Sequence, residues 1–197
     1  MPSLRHVFLF FFSISAFCAG ARGQDKEVNF PTDDEIRLLL TQAERAIGQY
    51  KLLLDQEQMM LGEKGSEAVA KDRQVVENIE IAIKAFRKNP QGFNGPLGFA
   101  FFEWLDDADR NALLCATTSL NDSTTSMLTG DKDGAQAGLH LAQGCMDASA
   151  LIYTVSENAG ALYARYVEGE EKLAKEGLRV AEKCAAVLKQ KGIVPKQ

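Results

Sequence analysis

Apolar residues recur at intervals of three and four along most of the chain, a pattern typical of amphipathic α-helices. The first helix is predicted to begin after Thr32, because Thr32 and Glu35 have the spacing of a capping box. Its apolar seam has the heptad steps of coiled-coil-like packing, with Glu57 as the one polar interruption. The seam contains Ile36, Leu40, Ala43, Ile47, Tyr50, Leu54 and Leu61.

A second helix follows the Gly-rich break at residues 62–65 and is predicted to stop at Asn89, because Pro90 disfavours helix in the residue before it. The two helices therefore form an antiparallel hairpin. The apolar face of the second helix carries Val69, Val76, Ile79, Ile83 and Phe86.

The third helix is predicted to begin near Phe99, after the Gly- and Pro-rich segment 90–98. Residues 117–126 are mostly Ser, Thr, Asn and Asp, whose side chains compete for backbone hydrogen bonds, so fraying or a kink is expected there. The predicted apolar positions are Trp104, Leu105, Leu113, Ala116 and Leu120.

Beyond a predicted turn at residues 130–134, a fourth helix runs to residues 158–160, which either end it or bend it into a last helix reaching about Lys191. The apolar positions are Leu139, Ala142, Cys145, Ile152 and Val155, followed by Leu162, Tyr166, Leu173, Val180, Ala181 and Leu188. No segment has the alternating pattern of a strand. The predicted fold is all-α, an antiparallel bundle of four to five helices.

The first 23 residues have the order of a secretory signal peptide: a basic start with Arg5, an apolar run over residues 7–20, and small residues up to Gly23. Cleavage after Gly23 would leave residues 24–197 as a single helical-bundle domain. We therefore expect a secreted or periplasmic protein. Beyond this segment no apolar run approaches the roughly 20 residues that cross a bilayer, so no membrane association is expected after cleavage.

The formal net charge of the chain makes some classes of binding partner unfavourable. The full chain has a formal net charge of −5, and removing residues 1–23 takes away two arginines and no acid, leaving 20 basic against 27 acidic residues, or −7. An acidic chain without a basic stripe is repelled by phosphate backbones and anionic lipids. Nucleic acid is therefore not an expected partner.

Three cysteines, at positions 115, 145 and 184, follow the predicted signal peptide. In an antiparallel hairpin, residues equidistant from the tip lie side by side, and Gly130 lies midway between Cys115 and Cys145. We therefore predict a Cys115–Cys145 disulfide in an oxidising compartment. An odd number of cysteines leaves Cys184 over or paired between molecules.

No arrangement of residues indicates catalysis or a cofactor. His140 is the one histidine after residue 23, too few for the Glu-x-x-His pairs of a helical di-iron site. His140 and Cys145 are five residues apart and point in different directions on a helix. Residues 129–140 fail the calcium-loop pattern at both ends. We expect no cofactor and no metal, and the sequence favours a non-catalytic protein over an enzyme.

Aromatic residues are concentrated in one short segment, residues 91–104, at and after the Gly- and Pro-rich loop. They are Phe93, Phe99, Phe101, Phe102 and Trp104. Because Phe101 and Phe102 point about 100° apart on a helix, one buried stripe cannot easily hold all five. The function expected is therefore non-catalytic contact with an unknown protein partner or with a second copy through this segment. The alternative is a carrier with an inter-helix pocket for a small apolar ligand, lined by these aromatics with Tyr50, Tyr153 or Tyr166.

Overall fold

The computed structural model describes residues 28–62 and 66–190. These residues form four α-helices and one short 3-10 helix, with no strand among them, so the fold is an all-α helical bundle. The α-helices are α1 (Asp33–Leu61), α2 (Ser66–Lys88), α3 (Pro96–Thr129) and α4 (Lys132–Gln190), and the 3-10 helix is Pro90–Phe93. The predicted signal peptide lies outside the described residues.

Helix α1 begins with the predicted capping box. The backbone N–H of Glu35 donates to Thr32 Oγ1 at 3.3 Å, and the N–H of Thr32 donates to Glu35 Oε2 at 2.8 Å. Two backbone donors at the helix start are thereby satisfied. The predicted seams of α1 and α2 are buried wherever their side chains are described, and they supply nearly half of the main core cluster.

Helices α1 and α2 run antiparallel. Three ion pairs link them at successive levels: Glu44 with Arg87, Lys51 with Glu80, and Asp55 with Arg73. The residue numbers of the paired side chains rise along α1 as they fall along α2, so the two helices form the antiparallel hairpin that the sequence predicts.

The connection from α2 to α3 is tightly packed against its own backbone. Pro90 begins the 3-10 helix and Pro96 occupies the first turn of α3, where the missing N–H costs no hydrogen bond. A Cβ on Gly98 would lie 1.8 Å from the carbonyl oxygen of Phe93. Only glycine fits there, and it allows the loop to fold back onto α3.

Helices α3 and α4 form the second antiparallel hairpin. Gly130 ends α3 with a φ of +81°, which glycine adopts without strain. Cys115 and Cys145 form the predicted disulfide, with Cα atoms 6.1 Å apart, and the Ser123 hydroxyl donates to the carbonyl of Ala135 at 2.7 Å. Residues on α3 and α4 are therefore level when their numbers add to about 259. No cysteine in the described part of the chain is a free thiol.

The prediction of fraying or a kink at residues 117–126 is wrong as to fraying, because α3 is helical throughout this stretch. Threonine hydroxyls donate to the carbonyl four residues earlier, at 2.9 Å from Thr117 to Leu113 and 2.9 Å from Thr124 to Leu120. The side chains thus add to the helical hydrogen bonds instead of competing with them.

Helix α4 is one uninterrupted helix through residues 158–160, which settles the choice between four and five helices. Helix α4 begins at Lys132, so only Gly130 and Asp131 of the predicted turn at 130–134 lie outside a helix. The chain divides into two compact units: one spans Pro31–Tyr166, and the other includes the described residues from Val167 onward. Every contact discussed below lies in the first unit.

Part of the predicted core is exposed. The side chains of Leu113, Leu120 and Leu139 are 48%, 41% and 45% exposed. Smaller residues form the contact between α3 and α4 instead: the Ser123 hydroxyl bonds to the Ala135 carbonyl, and a Cβ on Gly138 would lie 2.9 Å from the Ser119 carbonyl oxygen. Small side chains let the two helices approach closely, which leaves the leucines outside the contact. In the second unit, Leu173 and Val180 are also exposed.

Candidate functional site

The five aromatic residues predicted as a contact site divide into an inner and an outer set. Phe93 and Phe101 are fully buried, whereas Phe99 is 44% exposed. Phe102 and Trp104 are partly buried and pack against the edge of the core. The segment 91–104 is therefore not a single surface.

Phe93 and Phe101 join Phe86 of α2 in a buried phenylalanine triad. The Phe86 ring centroid lies 5.6 Å from that of Phe93 and 5.6 Å from that of Phe101, with ring planes 71° and 88° apart. This edge-to-face geometry is favourable between aromatic quadrupoles. These three rings close one end of the core and are inaccessible to a partner.

The outer set belongs to a surface aromatic cluster made of Phe99, Phe102, Tyr163 and Tyr166. The ring centroids of Phe99 and Tyr163 are 5.7 Å apart, those of Phe99 and Phe102 are 6.5 Å apart, and those of Tyr163 and Tyr166 are 5.8 Å apart. The rings therefore touch in series across α3 and α4. They form a continuous aromatic surface whose most exposed member is Phe99.

Gly160 allows Phe102 to lie against α4. A Cβ at position 160 would stand 3.2 Å from Phe102 Cε2, closer than an ordinary contact. The step at residues 158–160, considered above as a helix break, instead provides room for an aromatic ring. It places Phe102 next to the exposed Phe99.

An ion pair between Arg165 and Glu35 joins α4 to the start of α1. The Arg165 guanidinium donates to both carboxylate oxygens of Glu35, at 2.9 and 2.5 Å. These hydrogen bonds, followed by the one from the Thr32 backbone, lower the pKa of Glu35 from 4.5 to about 2.

A second group of polar side chains lies between α1 and α2. The Tyr50 hydroxyl donates to Asp72 Oδ2 at 3.0 Å, and Glu57 Oε2 is buried without a hydrogen-bond partner. Burial, and then the neighbouring Asp72 carboxylate, raise the pKa of Glu57. Burial also raises the pKa of Asp72, against the effect of its hydrogen bond from Tyr50. Ionisation of Glu57, the polar interruption in the α1 seam, is therefore disfavoured in the fold.

The polar side chains that could support catalysis are not brought together. Buried Asp109 accepts a hydrogen bond of 2.5 Å from the Ser149 hydroxyl. His140 is exposed beside Gln136, 3.5 Å away, and Cys145 is in the disulfide. Within the described residues no three His, Cys, Asp or Glu side chains are grouped as a metal site.

A surface groove between α1 and α2 has a volume of about 240 Å³. Its lining residues are Glu44, Ile47, Gly48, Glu80, Ile83 and Lys84. None of them is aromatic, and the acids Glu44 and Glu80 already pair with cations of the opposite helix. Tyr50, suggested above as a pocket residue, is buried. This groove therefore differs from the aromatic pocket that a carrier would require.

Tyr163 is the member of the surface aromatic cluster that the sequence analysis missed. The hairpin symmetry about Gly130 already contained the signal, because it places position 99 level with residues close to 161.

Across the part of the chain that the structure describes, no helix is long and apolar enough to cross a membrane. The chain matches no protein-family model, and no match was found among curated proteins or solved structures.

Proposed function

We propose that this chain is an exported, non-catalytic helical-bundle protein that acts by binding another protein through the surface aromatic cluster. The observation that carries the proposal is the exposure of Phe99 within a series of four touching rings. A ring that served only the core would be covered, as Phe101 is.

The composition of the cluster suits a protein interface. Tyrosine and phenylalanine are enriched at the centres of interfaces, where they bury a large area at a small cost in conformational entropy. Tyr163 also carries a hydroxyl group, which gives an aromatic ring a polar end suited to an interface.

The disulfide between Cys115 and Cys145 supports the proposed export, because disulfides persist mainly in oxidising compartments. The carrier function remains the alternative, to be favoured by the recovery of a small bound molecule. None of the described cavities or contacts argues for it.

Site-specific photo-crosslinking in the producing cell tests the proposal. A photoreactive phenylalanine analogue at position 99 should give an adduct with one protein of defined mass. The control is the same analogue at Leu38, an apolar side chain on α1 that is 62% exposed and thus more accessible than Phe99. The absence of an adduct at position 99, or the same adduct from both positions, would refute the proposal.

A further inference from the structure

The negative charge of the chain is concentrated in the α3–α4 hairpin. Residues 96–166 contain nine acidic and three basic residues, a balance of −6, whereas the full chain has a net charge of −5. Residues 31–95, which include α1 and α2, contain eleven acidic and nine basic residues, a balance of −2. The surface aromatic cluster, whose rings all come from α3 and α4, therefore belongs to the acidic hairpin.

The three basic side chains of this hairpin leave most of its acids unneutralised. Arg110 pairs with Asp106 and, at 3.2 Å, with Asp107. Arg165 pairs with an acid at the start of α1. Lys132 begins α4, about 46 Å along the helix from the surface aromatic cluster. None of the three forms an ion pair with the acid that stands next to Phe99.

That acid is Glu103, one helical turn after Phe99 on α3. Residues four apart share one face of a helix, with their Cβ atoms about 5–6 Å apart. The Cα–Cβ bond of Glu103 is tilted towards the N-terminus of the helix, and thus towards Phe99. Glu103 is exposed and makes no side-chain hydrogen bond or ion pair with any residue that the structure describes. An unpaired carboxylate therefore stands beside the exposed ring.

The rings at this position favour the same kind of charge as the carboxylate. Phe99 is 44% exposed, and its ring centroid lies 5.7 Å from that of Tyr163. The face of an aromatic ring is the negative part of its quadrupole, and it attracts a cation placed within about 6 Å of the ring centroid. The exposed ring and the Glu103 carboxylate can therefore contact one cationic group together.

Building on the proposed function, we infer that the protein partner presents a basic segment, with an arginine or lysine side chain over the Phe99 ring beside Glu103. Arginine fits best, because its planar guanidinium stacks on an aromatic ring while it donates hydrogen bonds to a carboxylate. An acidic or purely apolar partner would leave the Glu103 carboxylate unpaired in the interface, which is unfavourable.

The charge of the whole hairpin adds to this local contact. An excess of six negative charges attracts a basic segment over a distance of roughly 10 Å at 0.1 M salt. Such attraction raises the rate of association, whereas close contacts at the centre of an interface mainly set the rate of dissociation. Added salt should therefore slow association, and loss of the Phe99 ring should speed dissociation.

A short synthetic peptide of alternating glycine and arginine tests the inference on the purified, oxidised chain. Its control is the same peptide with citrulline, which has the shape of arginine without the charge. Nuclear magnetic resonance of labelled phenylalanine and tyrosine rings reports binding at Phe99 and Tyr163. The arginine peptide should shift these two resonances and should bind about fivefold more tightly than the citrulline peptide.

Variants of Glu103 separate the local contact from the effect of net charge. Glu103→Gln should weaken binding of the arginine peptide about threefold, and Glu103→Lys should weaken it at least about tenfold, because like charges would meet. Glu77→Gln and Glu77→Lys are the matched controls, since Glu77 is an exposed acid of α2 and gives the same changes in net charge. Both should bind as the native chain does. Equal binding of the two peptides, or equal weakening by variants at positions 103 and 77, would overturn the inference.

Photo-crosslinking from position 99 distinguishes failure of this inference from failure of the proposed function. The cross-linked site, mapped by mass spectrometry, should lie in a basic segment of the partner, and the yield should fall in Glu103→Lys but not in Glu77→Lys. An adduct on an acidic or uncharged segment, formed at full yield in Glu103→Lys, would overturn the inference while partner binding stands. The absence of any adduct would refute both.

Discussion

Truncating Phe101 and Phe99 separately to alanine distinguishes the two roles of the aromatic segment. The two side chains are two residues apart on α3, but Phe101 is buried in the phenylalanine triad and Phe99 is exposed in the surface aromatic cluster. The same chemical change should therefore have different consequences at the two positions.

The expected loss of folding free energy at each position follows from how deeply the side chain is buried. Phe101→Ala leaves a cavity and removes the edge-to-face contact with Phe86, so it should lower the free energy of unfolding by about 3–5 kcal/mol. Full burial of a phenylalanine side chain contributes roughly 1.5–3 kcal/mol. With 44% of Phe99 still exposed, Phe99→Ala should cost only about 1–2 kcal/mol.

Urea unfolding at neutral pH, followed by far-ultraviolet circular dichroism of the oxidised protein, measures both values. Binding is measured as the amount of photo-crosslinked partner, or with the purified partner once it is identified. Phe99→Ala should lose binding while remaining folded. Equal losses of stability at the two positions would refute the division of the segment into an inner and an outer set.

Three further predictions concern covalent and ionic contacts. Replacing Cys115 and Cys145 together by Ala should lower the free energy of unfolding by about 3–4 kcal/mol in the loop-entropy model, for a separation of 30 residues; an unchanged urea midpoint would contradict this. Glu35→Gln should destabilise the protein by less than about 1 kcal/mol at neutral pH, because the pair with Arg165 is partly exposed. The pKa of Glu35 is lowered from 4.5 to about 2, so its contribution is present above pH 4.5 and should be lost as the pH falls towards 2; a pH-independent difference in melting temperature would count against it. Glu57→Gln should stabilise the protein at neutral pH, because the pKa of Glu57 is raised and its ionised form is disfavoured in the fold. The gain in stability should shrink as the pH falls through the raised pKa towards 4.5. A loss of stability at neutral pH would contradict this, because it would show that Glu57 has a stabilising partner.

The parts of the fold that the sequence predicts best are those where large apolar side chains follow one helical period. The α1 and α2 seams are buried as expected, and the break at Pro90 lies where proline geometry requires it. The register of the second hairpin follows from Gly130, and the disulfide between Cys115 and Cys145 confirms it.

The same reasoning fails on α3 and α4, because periodicity identifies an apolar stripe without showing which stripe faces the core. Leu113, Leu120 and Leu139 have helical spacing and are exposed, whereas alanine, serine and glycine fill the contact between the helices. Close approach of two backbones favours small residues there. A stripe of large side chains that is not used in the core is therefore available for another contact.

The division of the aromatic segment could be foreseen only in part. Adjacent side chains on a helix diverge by about 100°, which already separates Phe101 from Phe102. The partners on α4 could not be assigned from local spacing alone, because Tyr163 and Gly160 reach the cluster through the register of the whole hairpin.

Native mass spectrometry without reductant, on protein recovered from the exported fraction of the producing cell, tests the central claim most directly. The account predicts a complex with a second kind of chain that is lost in Phe99→Ala and retained in Leu38→Ala, which changes an exposed side chain of α1. A bound small molecule in place of a protein partner, or a complex that survives Phe99→Ala unchanged, would contradict it.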